Sequence, residues 1–121
     1  MLKLATVMIG SDNAERLIEF YTNVFGESHW AQGGFTGWKL GESFFMIGAH
    51  SEVHGQNDTP GRLILMLETP DVAGEFKRVS EAGAKVVAEP YHPGDDTEMW
   101  LSTLADSDGN YFQLVSPMKD M

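Results

Sequence analysis

The strongest constraint on this chain is an internal repeat, in which two halves of roughly 60 residues follow the same order of elements. Each half reads as a strand, a helix and three further strands. The helix starts correspond at Asp12 and Asp71, and the helix ends correspond at Gly26 and Gly83. One half cannot cover both faces of its own sheet, so we expect two units to pair. The predicted fold class is α+β, with two tandem βαβββ modules, mixed curved sheets and helices on their outer faces.

Apolar periodicity and turn residues set the predicted boundaries. Apolar residues at helical spacing predict a first helix with Asp12 as N-cap, Glu15 as its capping-box partner and Gly26 as its end. A second helix is predicted to begin with Pro70 at its first position and to end at Gly83. Runs of β-forming residues predict strands at 2–9, 28–31, 35–40, 43–47, 62–68, 85–88, 100–104 and 111–115.

The polar segment between the two halves has no helical or strand periodicity, which is typical of a loop. We therefore predict repeat 1 at about 1–49, a linker loop at about 50–61 and repeat 2 at about 62–117. The whole chain, 1–121, is interpreted as a single domain. The faces of the two sheets opposite the helices are expected to curve towards each other and form a groove for a small ligand.

Composition excludes several kinds of function. The absence of cysteine excludes disulfides and thiolate metal ligands. Eighteen acidic and eight basic residues give a net charge of −10, which disfavours nucleic acid as a partner and would suit a cationic ligand. No apolar run approaches the roughly 18 residues of a membrane span, and the start does not have the layout of a signal peptide. We expect a cytoplasmic protein without a membrane partner.

The last two strands form a predicted hairpin around the turn 106–109. Strand alternation places Phe112 and Leu114 on one face, and Tyr111 and Gln113 on the other. Gln113 is therefore a polar side chain on an inward strand face.

Two segments resemble the vicinal oxygen chelate superfamily, which includes glyoxalase I, extradiol dioxygenases and the bleomycin-resistance proteins. The first is Glu19-Phe20-Tyr21 through Phe25-Gly26. The second is Leu104-Ala-Asp-Ser-Asp-Gly-Asn-Tyr-Phe-Gln-Leu, close to the hallmark Asp-Pro-Asp-Gly-Asn of that superfamily. The resemblance covers essentially the whole chain and implies the glyoxalase/bleomycin-resistance fold.

The resemblance also implies four inward ligand positions, which hold His, Gln or Glu in the metal enzymes. Here they hold Thr6, Met46 (or Phe45, if the register shifts by one), Ile64 and Gln113. One amide does not hold a metal, so we predict no metal or other cofactor there.

His50 and His54 form a His-x-x-x-His spacing in the loop. They could be a replacement metal pair, a general base beside the groove, or two ordinary solvated histidines.

We therefore expect a homodimer that binds a small organic molecule without a metal, as the resemblance to bleomycin-resistance proteins implies. Polar groups would orient the ligand, aromatic rings would stack on it, and methionines would form an apolar wall. Arg62 could pair with an anionic ligand or form a structural ion pair. The rivals are a metal-dependent glyoxalase-like lyase, isomerase or dioxygenase with displaced ligands, and a non-catalytic sensor or subunit. The candidate ligand-binding residues are Thr6, Trp38, Met46, His50, Arg62, Trp100, Tyr111 and Gln113.

Overall fold

The structure, a computed structural model, describes residues 1–117, and the chain divides into two compact units. The first unit is Met1–Gly55 and the second begins at Gln56, so the division lies within the predicted linker loop. Each unit contains four strands and one α-helix. Within residues 1–117, neither helix has the length or the apolar character needed to cross a membrane.

The first unit forms a mixed four-stranded sheet. Its elements are β1 (Thr6–Ser11), α1 (Ala14–Phe25), β2 (Trp30–Gln32), β3 (Phe35–Leu40) and β4 (Ser43–Ala49). The strand order is β1-β4-β3-β2. Strand β1 pairs with β4 in parallel, and the other two pairs are antiparallel.

The second unit repeats this arrangement. Its elements are β5 (Leu65–Glu68), α2 (Val72–Glu81), β6 (Lys85–Tyr91), β7 (Leu101–Ala105) and β8 (Tyr111–Val115). The order is β5-β8-β7-β6, again with one parallel pair, β5 with β8. Because both sheets have the same order and the same parallel pair, the predicted duplication of a βαβββ module is confirmed.

Each helix covers one face of the sheet in its own unit. In the first unit, the ring of Tyr21 on α1 meets the ring of Phe45 on β4 edge to face, with centroids 4.8 Å apart. In the second unit, Val79 on α2 and Phe112 and Leu114 on β8 are buried. Burying one such side chain stabilises the fold by about 1.5–3 kcal/mol. The opposite face of each sheet is called its open face below.

The first helix begins one residue later than predicted. Asn13 is the N-cap, and its side chain accepts a hydrogen bond from the backbone N–H of Arg16 at 3.2 Å. Asp12 instead accepts a hydrogen bond from the backbone N–H of Gly55 at 2.7 Å. The prediction was wrong because Asp and Asn are equally good caps, and β1 runs on to Ser11. The predicted end is confirmed, since Gly26 takes a positive φ of 89° at the C-cap.

The second helix and its neighbouring strands also differ from prediction in detail. Asp71 is the N-cap and accepts a hydrogen bond from Gly74 N–H at 2.9 Å, so Pro70 precedes the helix. Residues Pro60–Arg62 form a 3-10 turn rather than the start of a strand. Strand β6 continues to Tyr91 through two irregularities in its pairing with β7, beyond the predicted end at 88.

Candidate ligand-binding site

One row of side chains crosses the open face of the first unit. Met8 on β1 lies beside Met46 on β4, Met46 lies beside Gly37 on β3, and Gly37 lies opposite Trp30 on β2. We call these four residues the apolar row. The side chains of Met8 and Trp30 are 40% and 37% exposed. The row is therefore an apolar surface with its side chains accessible.

Glycines let aromatic rings lie against this sheet. A Cβ placed on Gly37 would lie 2.5 Å from Cε2 of Trp30, closer than real Cβ atoms come to any atom. Gly48 has the same relation to Phe35, whose Cδ1 would lie 2.5 Å from the added Cβ. Each ring therefore occupies the space above its cross-strand glycine. Trp30 is also 37% exposed, so part of its ring surface remains accessible.

The equivalent row of the second unit contains a polar pair. Met66 on β5 lies beside Gln113 on β8, which lies beside Thr103 on β7. The Gln113 Nε2 donates a hydrogen bond to Thr103 Oγ1 at 3.0 Å. Tyr111, two residues before Gln113 on β8, lies on the same face. We call Gln113 and Thr103 the polar pair.

The four expected metal-ligand positions do not present a metal-binding donor set. Thr6 lies beside Phe44, one step along the sheet from the apolar row, and Met46 is on the open face. The alternative Phe45 is buried beneath α1. Ile64 precedes β5, and the neighbour of Gln113 is Met66 instead. A hydroxyl, a thioether, an alkyl side chain and one amide do not fit a divalent cation.

His50 and His54 lie away from the open-face rows, in the loop after β4. They line a shallow depression of about 580 Å³ together with Ser11 and Asp12. The Nδ1 of His50 accepts a hydrogen bond from the backbone N–H of Glu52 at 3.2 Å. Within residues 1–117, no three His, Asp or Glu side chains are grouped closely enough to hold a metal ion.

Of the predicted ligand contacts, Trp38 needs correction, while Arg62 and Trp100 lie outside the two open-face rows. Trp38 lies on the helix-facing side, is fully buried, and donates its indole N–H to Gly26 O at 2.9 Å. Arg62 lies in the 3-10 turn and is exposed, so it is not on the sheet face. Trp100 precedes β7, and its ring lies against that of His92, with centroids 3.9 Å apart and the planes tilted by 41°.

Thr103 was not predicted as a site residue, although counting residues back from the hairpin turn would have identified it as the neighbour of Gln113. The turn 106–110 pairs Ala105 with Tyr111, and counting back two residues on each strand pairs Thr103 with Gln113. The position of Trp30 over Gly37 could not be predicted, because it depends on the register between β2 and β3, which the sequence does not determine.

The family follows from comparison with known domains. A model of the glyoxalase-like domain matches residues 6–115, which is nearly the whole chain. The chain belongs to the glyoxalase-like family. The predicted membership of the vicinal oxygen chelate superfamily and the predicted fold class are thereby confirmed. No curated protein matches the chain.

Solved structures with this glyoxalase-like fold have low sequence identity to the chain. A glyoxalase-related enzyme from Fulvimarina pelagi is 16% identical with a TM-score of 0.78, over 97% of this chain and 89% of that one. A glyoxalase/bleomycin resistance protein/dioxygenase family enzyme from Burkholderia phytofirmans is 21% identical with a TM-score of 0.77, over 97% and 100% of the two chains. TioX from Micromonospora is 18% identical with a TM-score of 0.70, over 96% and 99%. These similarities establish the fold alone.

Proposed function

We propose that this glyoxalase-like protein binds a small organic molecule on an open sheet face without a metal, in the manner of a bleomycin-resistance protein. The observation that carries the proposal is the apolar row of the first unit. Met8 and Trp30 leave large parts of their apolar surface exposed on the same sheet face. An exposed apolar surface of this kind is characteristic of a binding surface.

The chemistry of the apolar row favours a planar ligand. The indole of Trp30 occupies the space over Gly37, which leaves its outer face for a second flat ring. Methionine side chains adapt to different ligand shapes, so Met8 and Met46 can form the floor beside that ring. The net charge of −10 favours a neutral or cationic ligand over an anionic one.

A titration with two planar probes of opposite charge tests this proposal. We expect 9-aminoacridine, a cation at neutral pH, to raise the melting temperature and to bind more tightly than naphthalene-2-sulfonate. Trp30→Leu is expected to weaken binding about tenfold, because stacking contributes about 0.5–1.5 kcal/mol beyond buried area. Isothermal titration calorimetry measures both affinities.

Trp100→Leu is the matched control for that substitution. Trp100 is exposed to a similar extent, 43% against 37% for Trp30, but it precedes β7 in the second unit and is not part of the apolar row. It should therefore leave probe affinity unchanged. The proposal fails if neither probe binds, or if the two tryptophan substitutions weaken binding equally.

The proposal includes a homodimer. Strand β6 is a sheet edge, and its consecutive residues Val86 and Val87 are exposed. Exposed apolar residues on an edge strand favour association with another chain. Light scattering after size exclusion should give about twice the chain mass of 13.4 kDa, and a monomer mass at micromolar concentration would refute this part of the proposal.

A further inference from the structure

The polar pair of the second unit has hydrogen-bonding capacity that the protein does not use. A glutamine side chain has one carbonyl oxygen and two N–H donors, and a threonine hydroxyl can both donate and accept. The bond from Gln113 Nε2 to Thr103 Oγ1 uses one N–H of the amide and the oxygen of the hydroxyl as acceptor. The amide oxygen, the second amide N–H and the hydroxyl proton remain.

Within the polar pair, Gln113 is half-buried and is the more accessible residue, whereas Thr103 is only 6% exposed. Within residues 1–117, Ser102 Oγ is the one fully buried side-chain oxygen or nitrogen of a non-exposed residue that lacks a hydrogen-bond partner. The unbonded amide oxygen of Gln113 is therefore accessible to solvent. An acceptor and a donor on one planar amide are available together to an incoming group.

The immediate neighbours of the polar pair on the open face are uncharged. Gln113 lies beside Met66 on β5. Along β8 it shares its face with Tyr111 and Val115. Thr103 lies beside Ala88 on β6. Along β7 it shares its face with the apolar residues Leu101 and Ala105. Hydrogen bonds in such surroundings are stronger than in water, and leaving one unmade is costly.

The ionisable side chains of this face lie at its margins. Glu68 is at the end of β5, two residue pairs beyond Gln113, and Lys85 is at the start of β6, on the sheet edge. Both are exposed. A ligand group bound at the polar pair itself therefore meets neutral donors and acceptors rather than a counter-ion.

We propose that the polar pair recognises a neutral carboxamide-type group, such as a primary amide, lactam or urea, of the ligand. The inference rests on the proposed small-molecule binding and names the group that the second unit selects. An amide carbonyl accepts from the second N–H of Gln113, while the amide N–H donates to the Gln113 oxygen, and the bond to Thr103 holds the Gln113 amide in position. A ketone lacks the donor, and a carboxylate lacks the donor and brings a charge without a partner.

Three matched probes test this selectivity: benzamide, acetophenone and benzoate. Their binding is followed by NMR, using the side-chain amide signals of Gln113, assigned with the Gln113→Met variant. We expect benzamide to shift those signals and to bind about tenfold more tightly than the other two, as sites built for hydrogen bonding reject analogues without the group. Equal affinity for benzamide and acetophenone would refute the inference.

Variants at Thr103 separate recognition from a purely structural effect. Thr103→Val should reduce the preference for benzamide, because the Gln113 amide loses the acceptor that orients it, and Thr103→Ser should keep the preference because the hydroxyl remains. Ser102→Ala is the control, since the Ser102 hydroxyl has no partner and lies on the opposite face. The inference is also wrong if Thr103→Val keeps the full preference.

The outcomes distinguish this inference from the proposed function. If 9-aminoacridine binds and none of the three benzene probes shifts Gln113, the inference is wrong and small-molecule binding stands. If neither 9-aminoacridine nor any of the benzene probes binds, both are wrong.

Discussion

Two adjacent hydroxyls on β7 should have opposite effects on stability when removed. Ser102 is fully buried on the helix-facing side, and its Oγ has no partner within residues 1–117. Thr103 points to the open face and accepts the hydrogen bond from Gln113. We therefore expect Ser102→Ala to stabilise the fold and Thr103→Val to destabilise it.

The magnitudes follow from the two environments. A buried hydroxyl without a partner costs about 1–3 kcal/mol, and removing it forfeits a few atomic contacts, so Ser102→Ala should gain about 1 kcal/mol. Thr103→Val keeps the shape and removes one hydrogen bond, which costs about 1 kcal/mol. For a domain of this size, each change corresponds to roughly 4 °C in melting temperature, in opposite directions.

Urea denaturation followed by circular dichroism measures both effects. The midpoints should move apart while the slope m stays constant, because neither substitution changes the surface exposed on unfolding. Destabilisation by Ser102→Ala of 1 kcal/mol or more would contradict the assignment of its hydroxyl as unpartnered. Unchanged stability in Thr103→Val would show that the bond to Gln113 contributes nothing.

Other substitutions test single hydrogen bonds and a turn. Asn13→Ala should lose about 1 kcal/mol of unfolding free energy, since Asn13 caps α1; denaturant titration measures it, and an unchanged midpoint would contradict the cap. Trp38→Phe should cost at least about 1 kcal/mol, because it leaves Gly26 O without the indole donor and opens space in the core. Gly109→Ala should cost about 1–2 kcal/mol, since Gly109 has φ of 83° and an added Cβ would lie 2.8 Å from Gln56 Oε1. Thermal unfolding compares these two variants with the parent, and wild-type stability in either would refute its assigned contact.

The fold was predictable because local signals and the duplication agree. Gly26 and Gly109 both take positive φ where the sequence places a helix end and a turn. The strand 111–115 was predicted with its observed bounds, and its alternation correctly separates Phe112 from Gln113. Two halves with the same pattern constrain each other, so an error of one residue at a cap does not change the topology.

The candidate site was less predictable because it depends on which strand lies beside which. Trp38 and Trp30 are both aromatic residues in or next to short strands, and the sequence does not say which one a helix covers. The structure buries Trp38 beneath α1 and leaves Trp30 over Gly37. Likewise, a loose register at β5 led to Ile64, whereas Met66 is the neighbour of Gln113. Side-chain identity suggests the chemistry, but register decides which side chains meet.

We propose that this glyoxalase-like protein binds its ligand without a metal. The most direct test is the dissociation constant for 9-aminoacridine in excess EDTA, compared with that in buffer containing equimolar Zn²⁺ or Mn²⁺. We expect the same constant in all three conditions, because Met8, Met46 and Trp30 would bind the ring by apolar contact. Loss of binding in EDTA that either metal ion restores would contradict it.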